Sequence, residues 1–236
     1  MVKIFGRSFA LRSLLLATLI AAPAWAQQYP ARTVRIVVPF APGGTADTLG
    51  RIVAVKLTES LGQSFVAENR PGAGGLLGSD LVAKSAPDGY TLVVSGVASH
   101  AIAPALSAKP PFDPVKDFAG ITRLGSAPLF LITNPDTPVK TLKEVVDLAK
   151  KEPGKLNFSS PGLASTTFIA GAQFRRIAGI NIVHVPFRSA PDAVTAVIRG
   201  DAQFYFAPSN LARDQSEAGK VRAIAAAMAL TLPASA

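Results

Sequence analysis

Two short segments combine the end of a strand, glycine and small hydroxyl residues in a pattern that can bind an anion. They are Pro42-Gly43-Gly44-Thr45-Ala46-Asp47 and Pro161-Gly162-Leu163-Ala164-Ser165-Thr166. Each leads into a predicted helix, and a helix N-terminus attracts a carboxylate or phosphate through its unpaired N–H groups and partial positive charge. Because a lone Gly-Gly is a weak signal, simple helix caps and tight turns remain the alternative interpretation.

Other chemistries find little support in the sequence. No Gly-Lys-Ser/Thr follows either turn, which argues against a P-loop, and no G-x-S-x-G or H-E-x-x-H motif is present. A Ser-His-Asp triad stays open because its members need only meet in space, but we interpret both histidines, His100 and His184, as structural. With no cysteine, a disulfide framework and a thiolate metal site are excluded. We expect no metal, no cofactor and no enzymatic activity.

The two segments must be positioned by alternating strands and helices. Apolar runs and helical periodicity predict strands at 34–38, 65–68 and 90–94, with helices at 47–61 and 76–86 between them. This β-α-β-α-β order indicates a parallel sheet. A second series follows, with strands at 129–133, 156–160, 182–186 and 202–206 and helices at 141–151, 167–178 and 190–198. Thr141, with Glu144 three residues later, predicts a capping box at the start of the first of these helices. We predict two α/β lobes joined near residues 119–128, with a small anion clamped between the two turns.

The N-terminus has the pattern of a secretory signal. Lys3, Arg7 and Arg12 precede the apolar run 14–22, and Ala24-Trp25-Ala26 has the small-x-small form of a cleavage site. We predict cleavage between Ala26 and Gln27, with an uncleaved membrane anchor as the alternative. Since cleavage removes three cations, the formal charge falls from +9 to +6. The remaining charge forms no basic tract with interleaved aromatic residues, so we expect no nucleic-acid partner.

An ordered set of motifs from residue 27 to 225 resembles the Bug family, the periplasmic solute-binding receptors of tripartite tricarboxylate transporters. The motifs that carry this resemblance are Val37-Val38-Pro39-Phe40-Ala41-Pro42-Gly43-Gly44 with Asp47, Glu68-Asn69-Arg70-Pro71-Gly72-Ala73-Gly74-Gly75, Ala86-Pro87-Asp88-Gly89-Tyr90-Thr91-Leu92, Phe112-Asp113-Pro114-Val115-Lys116-Asp117-Phe118, His184-Val185-Pro186-Phe187 and Ala218-Gly219-Lys220-Val221-Arg222. The match is in register along nearly the whole of this range.

The resemblance implies a type II periplasmic-binding-protein fold, in which two α/β lobes enclose a ligand cleft. It implies a signal peptide at 1–26, lobe 1 at 27–123, lobe 2 at 124–222 and the start of a return to lobe 1 at 223–236. It also implies a periplasmic monomer that captures a small carboxylate for the membrane subunits of a tripartite transporter, without a cofactor. The ligand-binding residues would be Phe40, Gly43, Gly44, Thr45, Asp47, Ser99, Gly162, Leu163, Ala164, Ser165, Thr166 and Phe187.

Four positions depart from the usual family pattern and make the expected cleft less polar. These are Val97-Ala98, Leu163-Ala164, Phe168 and Ala207-Pro208. The sequence therefore favours a monocarboxylate or an aromatic acid over citrate as the ligand. Asp47 can either cap its helix or meet an amine on the ligand, and we interpret it as a cap.

After Ala225 the segment with which the family completes lobe 1 is not found. We therefore expect a truncated receptor, with apolar surface exposed on lobe 1 and reduced stability or no secretion as a folded monomer. Two alternatives to a transport receptor remain open, namely a ligand-sensing subunit for a membrane kinase and a non-functional truncated copy. A hydrolase is the interpretation that the sequence supports least.

Overall fold

The structure is a computed structural model that describes residues 29–227. The predicted cleavage pair, Ala26 and Gln27, and the C-terminal residues 228–236 lie outside the described residues. Within residues 29–227, no helix is long and apolar enough to cross a membrane.

Lobe 1 is built on a three-stranded parallel sheet whose central strand is almost entirely apolar. Its elements are β1 (Val34–Val38), α1 (Thr45–Leu61), β2 (Phe65–Asn69), α2 (Leu76–Ala83), β3 (Thr91–Val93) and α3 (Ala103–Leu106). The strand order is β2-β1-β3, and both neighbours run parallel to β1. The predicted β-α-β-α-β order is therefore confirmed. A π-helical turn, Ala98–Ile102, leads directly into α3.

Lobe 2 contains a five-stranded mixed sheet in the order β6-β5-β7-β4-β8. Its elements are β4 (Leu129–Thr133), α4 (Leu142–Lys151), β5 (Asn157–Ser160), α5 (Thr166–Ala178), β6 (Val183–Pro186), α6 (Ala190–Arg199), β7 (Phe204–Pro208), α7 (Ser209–Glu217) and β8 (Arg222–Ala227). β5 runs parallel to β6 and β7, whereas β4 is antiparallel to β7 and β8. The parallel part leaves the carboxyl ends of β5, β6 and β7 at one edge of the sheet, where α5, α6 and α7 begin.

Side chains of β7 alternate between the two faces of this sheet, as the two-residue period of a strand requires. Phe204 and Phe206 pack with Phe158 and the apolar face of α4, while Tyr205 and Ala207 pack against α6 and α7. The prediction of a strand at 202–206 was therefore two residues too early. Ala202 lies in the turn that follows α6, where its N–H donates to the Ala196 carbonyl of that helix at 3.1 Å.

Local capping explains why α4 begins where the sequence predicted. The Thr141 hydroxyl accepts a hydrogen bond from the Glu144 N–H at 3.2 Å, and the Glu144 carboxylate accepts one from the Lys140 N–H at 2.6 Å. This arrangement satisfies one N–H group of the first turn and one just before the helix, so the predicted cap at Thr141 is confirmed. The neighbouring helix α7 was not predicted, because its sequence is polar and only Ala212 is buried in it.

Candidate functional site

The first glycine turn connects β1 to α1 and is held by a buried carboxylate. Asp47, which is only 5% exposed, accepts hydrogen bonds from the Gly43 N–H at 3.0 Å and from the Asn69 amide at 2.8 Å. The same Asn69 amide donates to the Phe40 carbonyl at 3.0 Å. Gly43 lies at a φ of +89°, a conformation that glycine adopts without steric cost. Asp47 and Asn69 therefore fix the shape of the first glycine turn.

The electrostatic surroundings keep Asp47 ionised. Burial by itself raises the pKa of this carboxyl group, but hydrogen bonds from Arg51, the Gly43 N–H and Asn69 together outweigh burial and lower the pKa below its ordinary value. Arg51 adds an ion pair at 3.0 Å, although its side chain is half exposed. Three protein groups bind Asp47, so a structural role fits the geometry better than contact with a ligand amine. Asp47 was interpreted as the helix cap, but the N-cap of α1 is Gly44, and Asp47 braces the turn from within the first turn of the helix.

The N-terminus of α1 has free hydrogen-bond donors. Its N-cap is Gly44, which offers no side chain, and the first intrahelical bond runs from the Thr48 N–H to the Gly44 carbonyl at 3.0 Å. The N–H groups of Thr45, Ala46 and Asp47 precede that bond, and no side chain of the described part of the chain caps them. Together with the positive end of a 17-residue helix, they form a site suited to an oxyanion.

The second glycine turn, between β5 and α5, satisfies more of its own polar groups. The Ser165 hydroxyl caps α5 by accepting from the Phe168 N–H at 3.1 Å, and it donates to the Gly162 carbonyl at 2.7 Å. The Gly162 N–H in turn donates to the Ser160 hydroxyl at 3.1 Å. The two turns are therefore unequal, since the first leaves its helix uncapped and the second is capped by its own serine.

A serine–histidine pair lies beside the second turn. Ser160 Oγ is 2.7 Å from His184 Nε2, and the His184 ring packs against Phe168 with centroids 4.6 Å apart. Burial, and secondarily the positive charge of Arg175, lowers the pKa of His184. Ser160 is fully buried, and within residues 29–227 no carboxylate hydrogen-bonds to His184. The pair thus stabilises the second glycine turn, and its geometry is not that of an exposed nucleophile with an oriented base.

Both turns lie where the two lobes touch. Gly43 meets Pro191 and Asn210 of lobe 2: a Cβ placed on Gly43 would be 3.0 Å from Pro191 Cγ, and the Gly43 carbonyl accepts from Asn210 at 3.1 Å. On the other side, a Cβ placed on Gly74 of lobe 1 would be 2.4 Å from the Ala164 Cβ in the second turn. The structure therefore brings both predicted turns to one interface between the lobes.

The remaining predicted residues are distributed around this interface. Ser99 is fully buried next to Gly75 and the Phe40 ring, and its hydroxyl lies 3.0 Å from His100 Nδ1. Within the second turn, Leu163 and Thr166 are exposed.

Phe187 follows β6 in lobe 2. Its N–H donates to the Ser160 carbonyl at 2.8 Å, and its side chain packs against the core of lobe 2 beside a depression of about 210 Å³. Phe40 and Ser99 thus accompany the first turn, whereas Phe187 is tied to the second turn through its backbone. That these residues contact a ligand stays a prediction.

Sequence reasoning missed three residues that shape the site, namely Asn69, Ser160 and Asn210. Asn69 and Ser160 end the strands β2 and β5, and Asn210 follows β7 in the first turn of α7. The signal that could have found them is the one already used for the glycine turns: a polar residue at the carboxyl end of a parallel strand in an α/β sheet. Asn210 was harder to find because α7 was not predicted.

Comparison with known proteins places the sequence in a family. The sequence profile described as "Tripartite tricarboxylate transporter family receptor" (TctC) matches residues 49–230. Protein BugT of Bordetella pertussis is 38% identical over 197 residues, which cover 82% of this chain and 60% of BugT. A UPF0065 protein in the tcbD-tcbE intergenic region of Pseudomonas sp. is 33% identical over 199 residues, or 83% of this chain and 58% of that protein. The chain thus spans about 60% of the length of these relatives.

Solved structures give the same picture of the fold. A periplasmic transporter is similar with a TM-score of 0.81 and 37% identity over 85% of this chain and 67% of that one. R. palustris Rpa4515 with adipate has a TM-score of 0.81 and 30% identity over 84% and 66% of the two chains. MatC from Rhodopseudomonas palustris with bound malate has a TM-score of 0.76 and 33% identity over 85% and 68%. The predicted periplasmic-binding-protein fold with two α/β lobes is confirmed.

Proposed function

This chain belongs to the TctC family of tripartite tricarboxylate transporter receptors, and we propose that it binds a small carboxylate between its two lobes in the periplasm. The resemblance to the Bug family is confirmed by this membership and by the similarity to BugT. A receptor in this family is a binding protein and not an enzyme. The partners that this function requires are the membrane subunits of a tripartite transporter.

One observation carries the proposal: the uncapped N-terminus of α1 lies where lobe 2 meets lobe 1. Thr45, Ala46 and Asp47 present N–H groups that have no partner within residues 29–227, and the adjacent Gly43 contacts Pro191 and Asn210. A carboxylate can accept hydrogen bonds from such groups and gain from the helix dipole. Relatives with adipate and malate have similar folds, which supports a carboxylate as the ligand class.

For the ligand itself, we infer a monocarboxylate or aromatic acid in preference to citrate. Val97 and Leu163 are 63% and 59% exposed, so they can contribute apolar surface to a ligand. Ala207 is fully buried in the core of lobe 2 and cannot contribute, and the Phe168 ring packs against both Phe158 and His184. Some of the apolar residues that the sequence analysis placed in the cleft are thus buried inside lobe 2. The inference of a monocarboxylate or aromatic ligand therefore rests on Val97 and Leu163.

A proline substitution tests the role of α1 without removing the helix. Thr45→Pro deletes one N–H at the first helical position, where proline is tolerated, and Gly44 already has the extended ψ of 172° that a residue before proline requires. We expect about 10- to 100-fold weaker carboxylate binding by calorimetry, since a hydrogen bond to a charged group contributes about 1.5–3 kcal/mol. The matched control is Leu142→Pro at the first position of α4, which should not affect binding.

A ligand screen can refute the proposal. The unsubstituted chain should bind at least one of benzoate, adipate, malate and citrate in a thermal-shift screen followed by calorimetry. A folded chain that shows neither a shift nor heat with any of them would refute carboxylate capture. Equal affinity of the wild type and Thr45→Pro would leave carboxylate capture standing and refute the assignment to α1. Tight citrate binding with no response to benzoate would refute the inferred ligand class.

A further inference from the structure

In the part of the chain that the structure describes, a single amide group joins the lobes by hydrogen bonds. Asn210, in the first turn of α7, donates from Nδ2 to the Gly43 carbonyl at 3.1 Å and to the Thr48 hydroxyl at 3.4 Å. Within residues 29–227, every hydrogen bond between the lobes comes from this group, and no ion pair crosses between them. Contact of the first turn with lobe 2 therefore depends on Asn210 and on packing.

The orientation of this amide is set by the chemistry of its partners. The Gly43 carbonyl can only accept, so it must face the NH₂ group of Asn210, and the opposite orientation would bring two oxygens together. The Thr48 hydroxyl donates to the Gly44 carbonyl at 3.2 Å, which leaves a lone pair on its oxygen for Asn210. Asn210 Oδ1 is buried and has no partner within the described residues. Both interlobe hydrogen bonds of this side chain therefore come from its NH₂ group.

Gly43 is held from both lobes at once. Its N–H donates to Asp47 within lobe 1, and its carbonyl accepts from Asn210 of lobe 2. Because a Cβ at this position would lie 3.0 Å from Pro191 Cγ, glycine allows the two lobes to approach closely here. The residue whose N–H is bound by Asp47 is therefore the same one whose carbonyl is bound by Asn210, immediately before the uncapped N-terminus of α1.

We propose that Asn210 is an interlobe latch, a positioning residue whose amide stabilises the closed arrangement of the lobes around the first turn. Its effect on ligand affinity rests on the proposed function, whereas its effect on closure does not. A ligand whose binding requires closure binds more weakly when the closed state is less populated. The latch residue thus lies in lobe 2, while the free N–H groups next to its contact with Gly43 lie in lobe 1.

The latch is tested by the distance between the lobes in the ligand-free protein. The chain has no cysteine, so Ser60→Cys on α1 and Lys150→Cys on α4, both exposed, can carry the only pair of spin labels. Asn210→Ala removes the donor, and Asn210→Asp also places a carboxylate against the Gly43 carbonyl. We expect the ratio of closed to open molecules to fall about 2- to 10-fold in Asn210→Ala, the range for one neutral hydrogen bond, and further in Asn210→Asp.

Controls separate closure from folding and from charge. An acidic residue near the start of α7 favours the helix, so Asn210→Asp should keep its circular dichroism and urea midpoint. Asn181→Asp makes the same charge change at an exposed position of lobe 2 and should leave the distance distribution unchanged. Distributions identical to wild type in both Asn210→Ala and Asn210→Asp would overturn the latch.

Titration with adipate then links closure to affinity. We expect the dissociation constant of Asn210→Ala to rise by the same factor by which its closed population falls. An unchanged dissociation constant despite a loss of closure would refute the coupling between the latch and binding. If the unsubstituted chain binds neither adipate nor any other carboxylate, the proposed function fails, and the ligand-free distances still decide whether Asn210 is a latch.

Discussion

Replacing Asp47 by asparagine should destabilise the protein by about 2 kcal/mol. The carboxylate accepts from the Gly43 N–H and the Asn69 amide in a buried position, and a hydrogen bond to a charged group contributes about 1.5–3 kcal/mol. An amide at position 47 has one acceptor oxygen, so one of these two bonds is lost. Since Arg51 is half exposed, its ion pair adds little because solvent screens it.

The measurement is urea unfolding of wild type and Asp47→Asn at pH 7, followed by far-UV circular dichroism. A lower midpoint at an unchanged m-value would report lost stability and not an altered unfolded state. Glu59→Gln is the matched control, because Glu59 lies on the same helix and pairs with Lys56 at the surface, where the expected loss is below about 0.5 kcal/mol. Equal losses in both variants would refute the reasoning that burial makes Asp47 the brace of the turn.

The pH dependence provides a second check on Asp47. Because the native-state pKa of this carboxyl group is lowered, its contribution is complete at pH values above its unfolded-state pKa, which is about 3.9. The contribution is lost as the pH falls from there through the lower native-state value. The difference in unfolding free energy between wild type and Asp47→Asn should therefore be constant between pH 7 and pH 5 and shrink below about pH 4. A difference that stays constant down to pH 2 would contradict the lowered pKa.

Gly74→Ala should weaken closure and carboxylate binding about tenfold, because its Cβ would lie 2.4 Å from the Ala164 Cβ across the lobe interface. Gly62→Ala is the control, since Gly62 has a φ of +69°, close to the +68° of Gly74, and open space around the new Cβ. If both variants weaken binding, backbone strain and not the contact with Ala164 is the cause. His184→Gln should reduce the loss of unfolding free energy between pH 7 and pH 5, because the lowered pKa of His184 makes the unfolded state take up protons first as the pH falls through about 6.5. Identical pH profiles of His184→Gln and wild type, measured by urea unfolding at each pH, would show that burial and the charge of Arg175 do not lower the pKa of this ring.

Local signals predicted most of lobe 1 and the frame of lobe 2, because they need no knowledge of distant residues. Dense apolar runs predicted β1 and β4 with the observed boundaries, and Thr141 predicted the start of α4. The sequence could not place β7, because Ala202 continues an apolar run while its N–H closes the end of α6. It missed α7 because that helix contacts the core mainly through Leu211 and Ala212.

For the same reason, only part of the candidate site could be predicted from the sequence. A strand followed by glycine and a helix is a local pattern, so both turns were found. The contacts of Asp47 with Asn69 and of Gly43 with Asn210 join residues 22 and 167 positions apart, and no local pattern predicts such pairs. The role of Gly74 was equally hidden, because its neighbour Ala164 lies in the other lobe and 90 positions along the chain.

The inequality of the two turns implies an order of events for a receptor that captures a carboxylate. Gly44 cannot cap α1, whereas Ser165 caps α5, so of the two turns the one in lobe 1 offers more free N–H donors to a carboxylate. Asn210 binds the Gly43 carbonyl and leaves the free N–H groups of α1 unoccupied. A ligand that enters the open state should therefore meet lobe 1 first, and closure of lobe 2 through Asn210 should follow. Under this order, substitutions at Asn210 slow the closing step and speed ligand release, while Thr45→Pro weakens the initial encounter complex.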